Sequence, residues 1–333
     1  MISYMVRRTA LGLLTVLAIS ILAFVIIQLP PGDFVDGYVH QLLAPFAVGL
    51  PIDTQEMEDR LRTQYGLDKP LYVQYAKWAW SMLRADFGMS LEYRVPVSQI
   101  LGERLLLTVI LAGATVLFTW ILAIPIGIYS AVRQHSIGDY TVTFLGFMGL
   151  ATPDFLLALV LLYLSFKYLD ASIGGLFSPE YLEADWSMGR VWDMTKHLWL
   201  PALILGTSGT AALIRIMRAN LLDELYRPYV VTARAKGKSE WALILKYPVR
   251  VALNPFISTI GYVLPYLISG SIIVSVVLSL PTVGPLLLRA LLTQDMFLAG
   301  TIVLALGVLT VIGTLLSDLM LVMVDPRIRL ERL

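Results

Sequence analysis

Apolar residues along this chain come in long uninterrupted runs, and the polar residues between them are grouped. Thr9–Leu29 and Leu105–Val132 hold no charged residue, and Tyr140–Phe166 is interrupted only by Asp154. Leu198–Ile214 is shorter but extends to the neighbourhood of Asn220. Val251–Leu288 is charge-free and longer than one crossing needs, so a helix is placed at Pro255–Leu280, with a break at "LPTVGP". Met296–Val324 carries only Asp318. About 20 apolar residues cover the roughly 30 Å of bilayer hydrocarbon. The pattern therefore predicts an all-α integral membrane protein of six spans. The first run ends in Gln28-Leu29-Pro30-Pro31-Gly32-Asp33, with no small-residue cleavage site, and reads as a retained anchor.

The polar stretches carry helical signals of their own. In "EMEDRLRTQYGLDKPLYVQYAKWAWSMLRADFGMSL", Leu61 and Tyr65, then Leu71, Tyr75, Trp78 and Met82, recur at helical spacing. Gly66 stops a first short helix and Pro70 starts a second. The Tyr72, Tyr75, Trp78 and Trp80 group suits a membrane interface. This gives an anchor over 1–30, a structured loop over 31–104 packed on the outer ends of the spans, and a five-helix core over 105–333 that includes a polar segment at 221–250.

Composition agrees with membrane. The 333 residues are 57% apolar and only 15% charged, against roughly 25% charged in soluble domains. The mean hydropathy is +0.75. A net charge of +1 gives no overall basic field for nucleic acid. Without cysteine there are no disulfides, thiolate metal sites or cysteine nucleophiles. With the N-terminus inside, the cytoplasmic segments hold 14 basic and 6 acidic residues, against 11 and 16 on the other side. By the positive-inside rule both termini lie inside.

"TARAKGKSEW" ends like a phosphate-binding loop at Gly237-Lys238-Ser239. The full pattern needs a glycine five residues earlier, where Thr232 stands, and a buried strand before it, where Asp223-Glu224-Leu225-Tyr226-Arg227-Pro228 stands. A helix–turn–helix fits better. Pro228 suits a first helical turn. Tyr229, Thr232, Ala233 and Lys236 share one face, and Gly237 sits where a left-handed residue closes a helix. Ser239 caps a second helix, Glu240–Tyr247. The first helix is narrow at Ala233 and Ala235, with cations at Arg234 and Lys236. It suits a groove on another protein or an anionic lipid surface; composition alone leaves both open.

"YRPYVVTARAKGKSEWALILKYPVRVALNP" resembles the cytoplasmic loop of ABC-importer permeases of the oligopeptide/dipeptide family. The shared pattern is T-A-R-A-K-G, a serine–glutamate pair, and R-x-A-L-x-P on Arg250, Ala252, Leu253 and Pro255. "LPPGD", "YGLDKPLYVQYAKW", "DFGMSL", "LPALILG", "IRIMRANLLDEL" and "DPRIRL" fit the same family in order along nearly the whole chain. The resemblance implies a permease subunit in a bacterial or archaeal cytoplasmic membrane. Its partners would be a second permease, usually a different chain, two ATPase subunits that bind the ATP and Mg, and an external solute-binding protein. The permease itself would bind no cofactor and catalyse nothing. Arg227, Tyr229, Thr232, Ala233, Arg234, Ala235, Lys236, Gly237, Ser239 and Glu240 would then form the coupling helix and its ATPase contact.

Three positions depart from the family. Ser275 stands where a glutamate is common, Pro248 where a helix former is usual, and Ala85 replaces the glycine before Asp86-Phe87-Gly88. Asp154, beside Pro153, is an ionisable group at membrane depth, which must face protein or water. It reads either as path lining or as a buried structural carboxylate. Pro153, Asp154, Pro265 and Ser275 are the candidate path-lining residues, and Asp318 reads as structural. Gly261, Pro265 and Gly270 suit close packing or a bend. Peptide is the family's majority substrate, and the loss of the acid at Ser275 keeps an oligosaccharide open. There is no G-x-S-x-G or H-E-x-x-H, and His40, His135 and His197 lie outside the span cores, which argues against an enzyme. A secondary transporter is the remaining alternative; it would show ion sites and repeat-related broken helices.

Overall fold

The computed structural model describes residues 2–29, 34–36, 39, 54–169 and 174–324, with the backbone alone at 2–5, 54, 169 and 260–270. The prolines of "LPPGD", His40 and the tail "DPRIRL" lie outside the described residues, and the surroundings of Gly261, Pro265 and Gly270 are likewise not described. The long helices are α1 (Ile2–Gln28), α4 (Val97–Val132), α7 (Met188–Leu225), α11 (Asn254–Val277) and α13 (Met296–Val324). Shorter ones are α2 (Thr54–Tyr65), α3 (Leu71–Leu83), α5 (Ile137–Ala151), α6 (Asp154–Leu169), α8 (Pro228–Ala235), α9 (Glu240–Lys246), α10 (Pro248–Ala252) and α12 (Val283–Leu292). Among the described residues, four helices are long and apolar enough to cross a bilayer, or five if α5 and α6 are one bent span. α11 occupies the place of the fifth predicted span. The chain is an all-α membrane protein.

Two compact units form, Met1–Leu106 with Val283–Val311 and Leu107–Thr282 with Ile312–Leu333. In the first, α3 packs on α1 through aromatic side chains. Phe24 meets Tyr75 edge-on with ring centroids 5.4 Å apart, and Ser20 Oγ lies 2.9 Å from Tyr75 Oη. α2 stops at Tyr65 because Gly66 takes φ +72°, and Pro70 stands before α3, both as the residues predict. α13 approaches closely at glycines: a Cβ on Gly12 would sit 2.6 Å from Val311 Cγ1, and one on Gly300 3.0 Å from the Trp78 ring.

Residues 86–97 make a clasp on this unit. Met89 bridges Pro96, and Ser90 N donates to Val95 O at 3.0 Å. Asp295, fully buried, accepts from Ser90 Oγ at 2.6 Å and from the Glu92 and Leu298 amides at 3.1 Å each. Arg289 Nη2 donates to Glu92 Oε1 at 2.8 Å. Ala85 lies at φ +59°, a conformation that costs an L residue about 1–2 kcal/mol, which is the physical reason a glycine suits that place.

In the second unit the third predicted span is two helices. α5 and α6 meet at 97°, where a single kinked helix over Tyr140–Phe166 was expected. Thr152 is extended (φ −88°, ψ 119°), as a residue before proline prefers, and the missing Pro153 amide ends the ladder. α7 starts earlier than Leu198 because Ser187 caps it, its Oγ accepting from Arg190 N at 3.3 Å. Its C-terminal half meets α4 at Gly127, where a Cβ would fall 2.6 Å from Met217 Cβ.

Candidate functional site

α7 runs past Met217 and Leu221, both fully buried, and ends at Leu225. Arg227 is extended, and Pro228 opens α8 at its first position, where no amide is needed. Val230 and Ala233 turn inward and join Met217, Leu221, Leu243, Ile244, Val249 and Ala252 in one apolar cluster. The predicted face of Tyr229, Thr232, Ala233 and Lys236 is therefore split. Ala233 is buried and Tyr229 half-buried, while Thr232 and Lys236 are exposed. Val230 carries the inward face because it is the larger apolar residue, and Ala233 lies three positions on, on the same side.

The turn closes as the residues require. Gly237 adopts φ +75°, and nothing lies within 4 Å of where its Cβ would be. Its amide donates to Arg234 O at 3.0 Å. Ser239 occupies the cap position of α9, but its hydroxyl makes no capping bond. The turn is closed instead by Arg234, which reaches over to Glu240 with Nε–Oε2 at 3.0 Å and Nη2–Oε1 at 2.5 Å. Those hydrogen bonds hold the Glu240 carboxyl below the usual carboxylate range. Arg227 approaches Glu224 at 3.6 Å, and the Tyr229 hydroxyl bonds the same carboxylate. α9 ends at Lys246, and α10 begins at Pro248, so the proline that stands where a helix former is usual divides this stretch into two helices.

The result is a two-helix projection with a buried underside and a free upper surface. That surface holds Thr232, Arg234, Ala235, Lys236, Gly237, Ser239 and Glu240. It also holds Val231, Trp241 and Leu245, each more than half exposed. These three apolar residues were not singled out from the sequence. Trp241 beside the serine–glutamate pair was the available signal. Cations together with exposed apolar residues, on a base held by a buried apolar cluster, have the make-up of a protein contact.

The candidate path residues are not gathered in the same way. Asp154 opens α6, half-buried, and hydrogen bonds Ser208 of α7; Pro153 stands exposed at the bend. Ser275 is 1% exposed, and its hydroxyl has no partner among the described residues. Asp318 is buried. A cleft of about 220 Å³ lies between α4, α5 and α7, lined by residues including Phe118, Leu122, Gly146, Gly149, Thr207 and Ala211. Pro153, Asp154 and Ser275 do not line it, and the side chain of Pro265 lies outside the described residues.

A second cluster was not foreseen. Asp139 in the first turn of α5 is 2% exposed. It accepts Arg218 Nε at 3.0 Å and Nη2 at 2.9 Å, the His135 amide at 3.0 Å, and the Ser130 hydroxyl. In sequence it stands three residues after Ser136, which reads as an ordinary helix-start pair; its partner 79 residues away leaves no local trace.

Comparison with known proteins places the chain among transport components. The family model described as binding-protein-dependent transport system inner membrane component matches residues 123–330, and the corresponding N-terminal model matches 1–112. The chain is 35% identical over 331 residues to a putative peptide permease protein of Brucella ovis, covering 99% of each. It is 36% identical to the oligopeptide transport system permease protein AppB of Bacillus subtilis, over 98% of this chain and 99% of that one. It is 29% identical to the dipeptide transport system permease protein DppB of Escherichia coli, over 99% of each.

Proposed function

Because the chain belongs to the family of binding-protein-dependent transport system inner membrane components, we propose that it is one permease half of an ATP-driven peptide importer, coupled to its motor through α8 and α9. It crosses the membrane six times with both termini inside. A second, different permease completes the pathway, and an external binding protein delivers peptide. Two ATPase subunits carry the ATP and Mg. This chain supplies no catalytic group.

The observation that carries the reading is the projection itself: α8, the Gly237 turn and α9 are fixed from below by an apolar cluster that includes Ala233 and present Thr232 and Arg234 to Glu240 outward. A segment lying on lipid would bury its apolar side in the bilayer. Here Val230 and Ala233 are already used against α7, α9 and α10, and Val231, Trp241 and Leu245 stay exposed for a protein cleft to cover. The exposed side suits the cleft of an ATPase. When ATP closes the ATPase pair, a helix held in that cleft moves with it. ATP and the loaded binding protein bias the inward-open and outward-open states only by binding one of them better.

Peptide as cargo rests on the names of the relatives. The neutral, buried Ser275 supports one other cargo, an oligosaccharide, by removing a carboxylate that an ammonium group would pair with. Reconstitution tests the whole reading. Liposomes holding the permease pair, ATPases and binding protein should take up a labelled di- to pentapeptide mixture only with ATP inside or on the ATPase side. Uptake by this chain alone under an ion gradient would show a secondary carrier instead.

A further inference from the structure

We infer that Asp139 is a positioning residue for coupling: its carboxylate ties α5 and α4 to the stretch of α7 on which the α8–α9 lever is seated. The inference rests on the lever reading above. Three helices and a turn converge on this one side chain. Arg218 of α7 grips both oxygens, Ser130 of α4 donates from a fully buried position, and the His135 amide, in a turn at φ +63°, donates at 3.0 Å. Ser136 Oγ, the α5 cap, accepts from the Asp139 amide at 3.2 Å.

The other half of the connection is apolar. Met217 and Leu221 flank Arg218 on α7 and belong to the cluster that receives Val230 and Ala233 of the lever. A push on α8 therefore reaches α7 within about one helical turn of Arg218. A planar guanidinium on a carboxylate transmits position as well as charge, because its two parallel hydrogen bonds fix orientation. Elsewhere α5 and α7 meet over an extensive contact that includes small residues, Gly149 facing Thr207 and Gly146 facing Ala211, and the Arg215 guanidinium 5.5 Å from the Phe147 ring. Small residues of this kind let helices slide on one another. The ion pair is the feature that resists sliding, so without it lever movement would reach α7 but not α5.

The test uses the assembled complex of permease pair, ATPases and binding protein. The readout is the ratio of ATPase rates with and without binding protein saturated with a di- to pentapeptide mixture. Asp139→Asn should leave the cross-link from Thr232→Cys to the ATPase intact and lower the ratio roughly fivefold or more, the range of ordinary coupling energies. A covalent tie should then replace the ionic one. A Cβ on Gly146 would lie 3.7 Å from Ala211 Cβ, within the roughly 3.5–4.5 Å span of disulfides, and the chain has no other cysteine. Oxidised Gly146→Cys/Ala211→Cys in the Asp139→Asn background should restore the ratio, and reduction should abolish it again. A parental ratio in Asp139→Asn, or a low ratio that the complete disulfide leaves low, would overturn the inference. If Asp139→Asn does not assemble, Arg218→Lys, which keeps the charge but loses the fork, takes its place with the same expected fall and rescue. Failure of the Thr232→Cys cross-link in the otherwise native complex would be a different result: it would remove the lever, not the tie.

Discussion

The 86–97 clasp and the α8–α9 projection, the proposed lever, are both short polar segments held by carboxylates, and they are built in opposite ways. The clasp hangs on Asp295, which is 0% exposed and satisfies three donors. The lever's own carboxylate, Glu240, is half exposed and meets only Arg234 among the described residues. Charge buried in the first case fixes a shape, since removing it strands donors away from water. Charge at the surface in the second costs little to rearrange. The clasp is made to stay as it is. The lever is made to be fixed below and available above.

The largest effect should come from breaking the clasp. Asp295→Ala is expected to destabilise its unit by about 3 kcal/mol, the cost of leaving buried donors and their surroundings uncompensated. A thermal scan of the detergent-solubilised complex measures this, and an unchanged midpoint would contradict the hub role. Gly237→Val comes next. A β-branched residue in a left-handed turn costs about 1–2 kcal/mol locally, and the open space around Gly237 means backbone strain alone is responsible. The complex should still assemble, while peptide uptake and substrate-stimulated ATPase fall together, because α9 is re-aimed. Uptake at the native rate would count against the turn as part of the lever.

Ala85→Gly should act in the opposite direction, raising clasp stability by up to about 1 kcal/mol through relief of its left-handed strain. A lowered midpoint would show that Ala85 is not strained. The smallest effect belongs to the surface pair. Glu240 has a depressed folded pKa, so its pairing contributes at pH above the ordinary carboxylate value and is lost only as pH falls through the lower folded value. Near neutral pH the lever should therefore show no pH dependence from this group. Glu240→Gln should shift coupled ATPase slightly at neutral pH and not at all in acid, where native Glu240 is already protonated; a comparison of pH profiles checks it.

What could be read in the residues divides along the same line. Pro228 and Gly237 were legible because each demands a local backbone shape that few other residues tolerate, and Gly66 and Pro70 for the same reason. Ser239 was placed correctly at a helix start, but its hydroxyl makes no cap bond; Arg234, five residues earlier, closes the turn with its own bond to Glu240. Pro153 announced a disturbance but not its size, since neighbouring helices decide whether a proline bends a span or divides it. Asp139 with Arg218 and Asp295 with Ser90 were invisible. Each carboxylate looks like an ordinary helix-start residue until the fold brings a partner from 79 or 205 residues away.

The most direct test of the lever is a single cysteine at Thr232, unique because the chain contains none. In the assembled importer, with one cysteine placed in the ATPase cleft, oxidation should yield a permease–ATPase adduct whose rate of formation changes when ATP replaces ADP. An unreactive Thr232→Cys in an active complex, or one labelled only by lipid-phase reagents, would contradict the account.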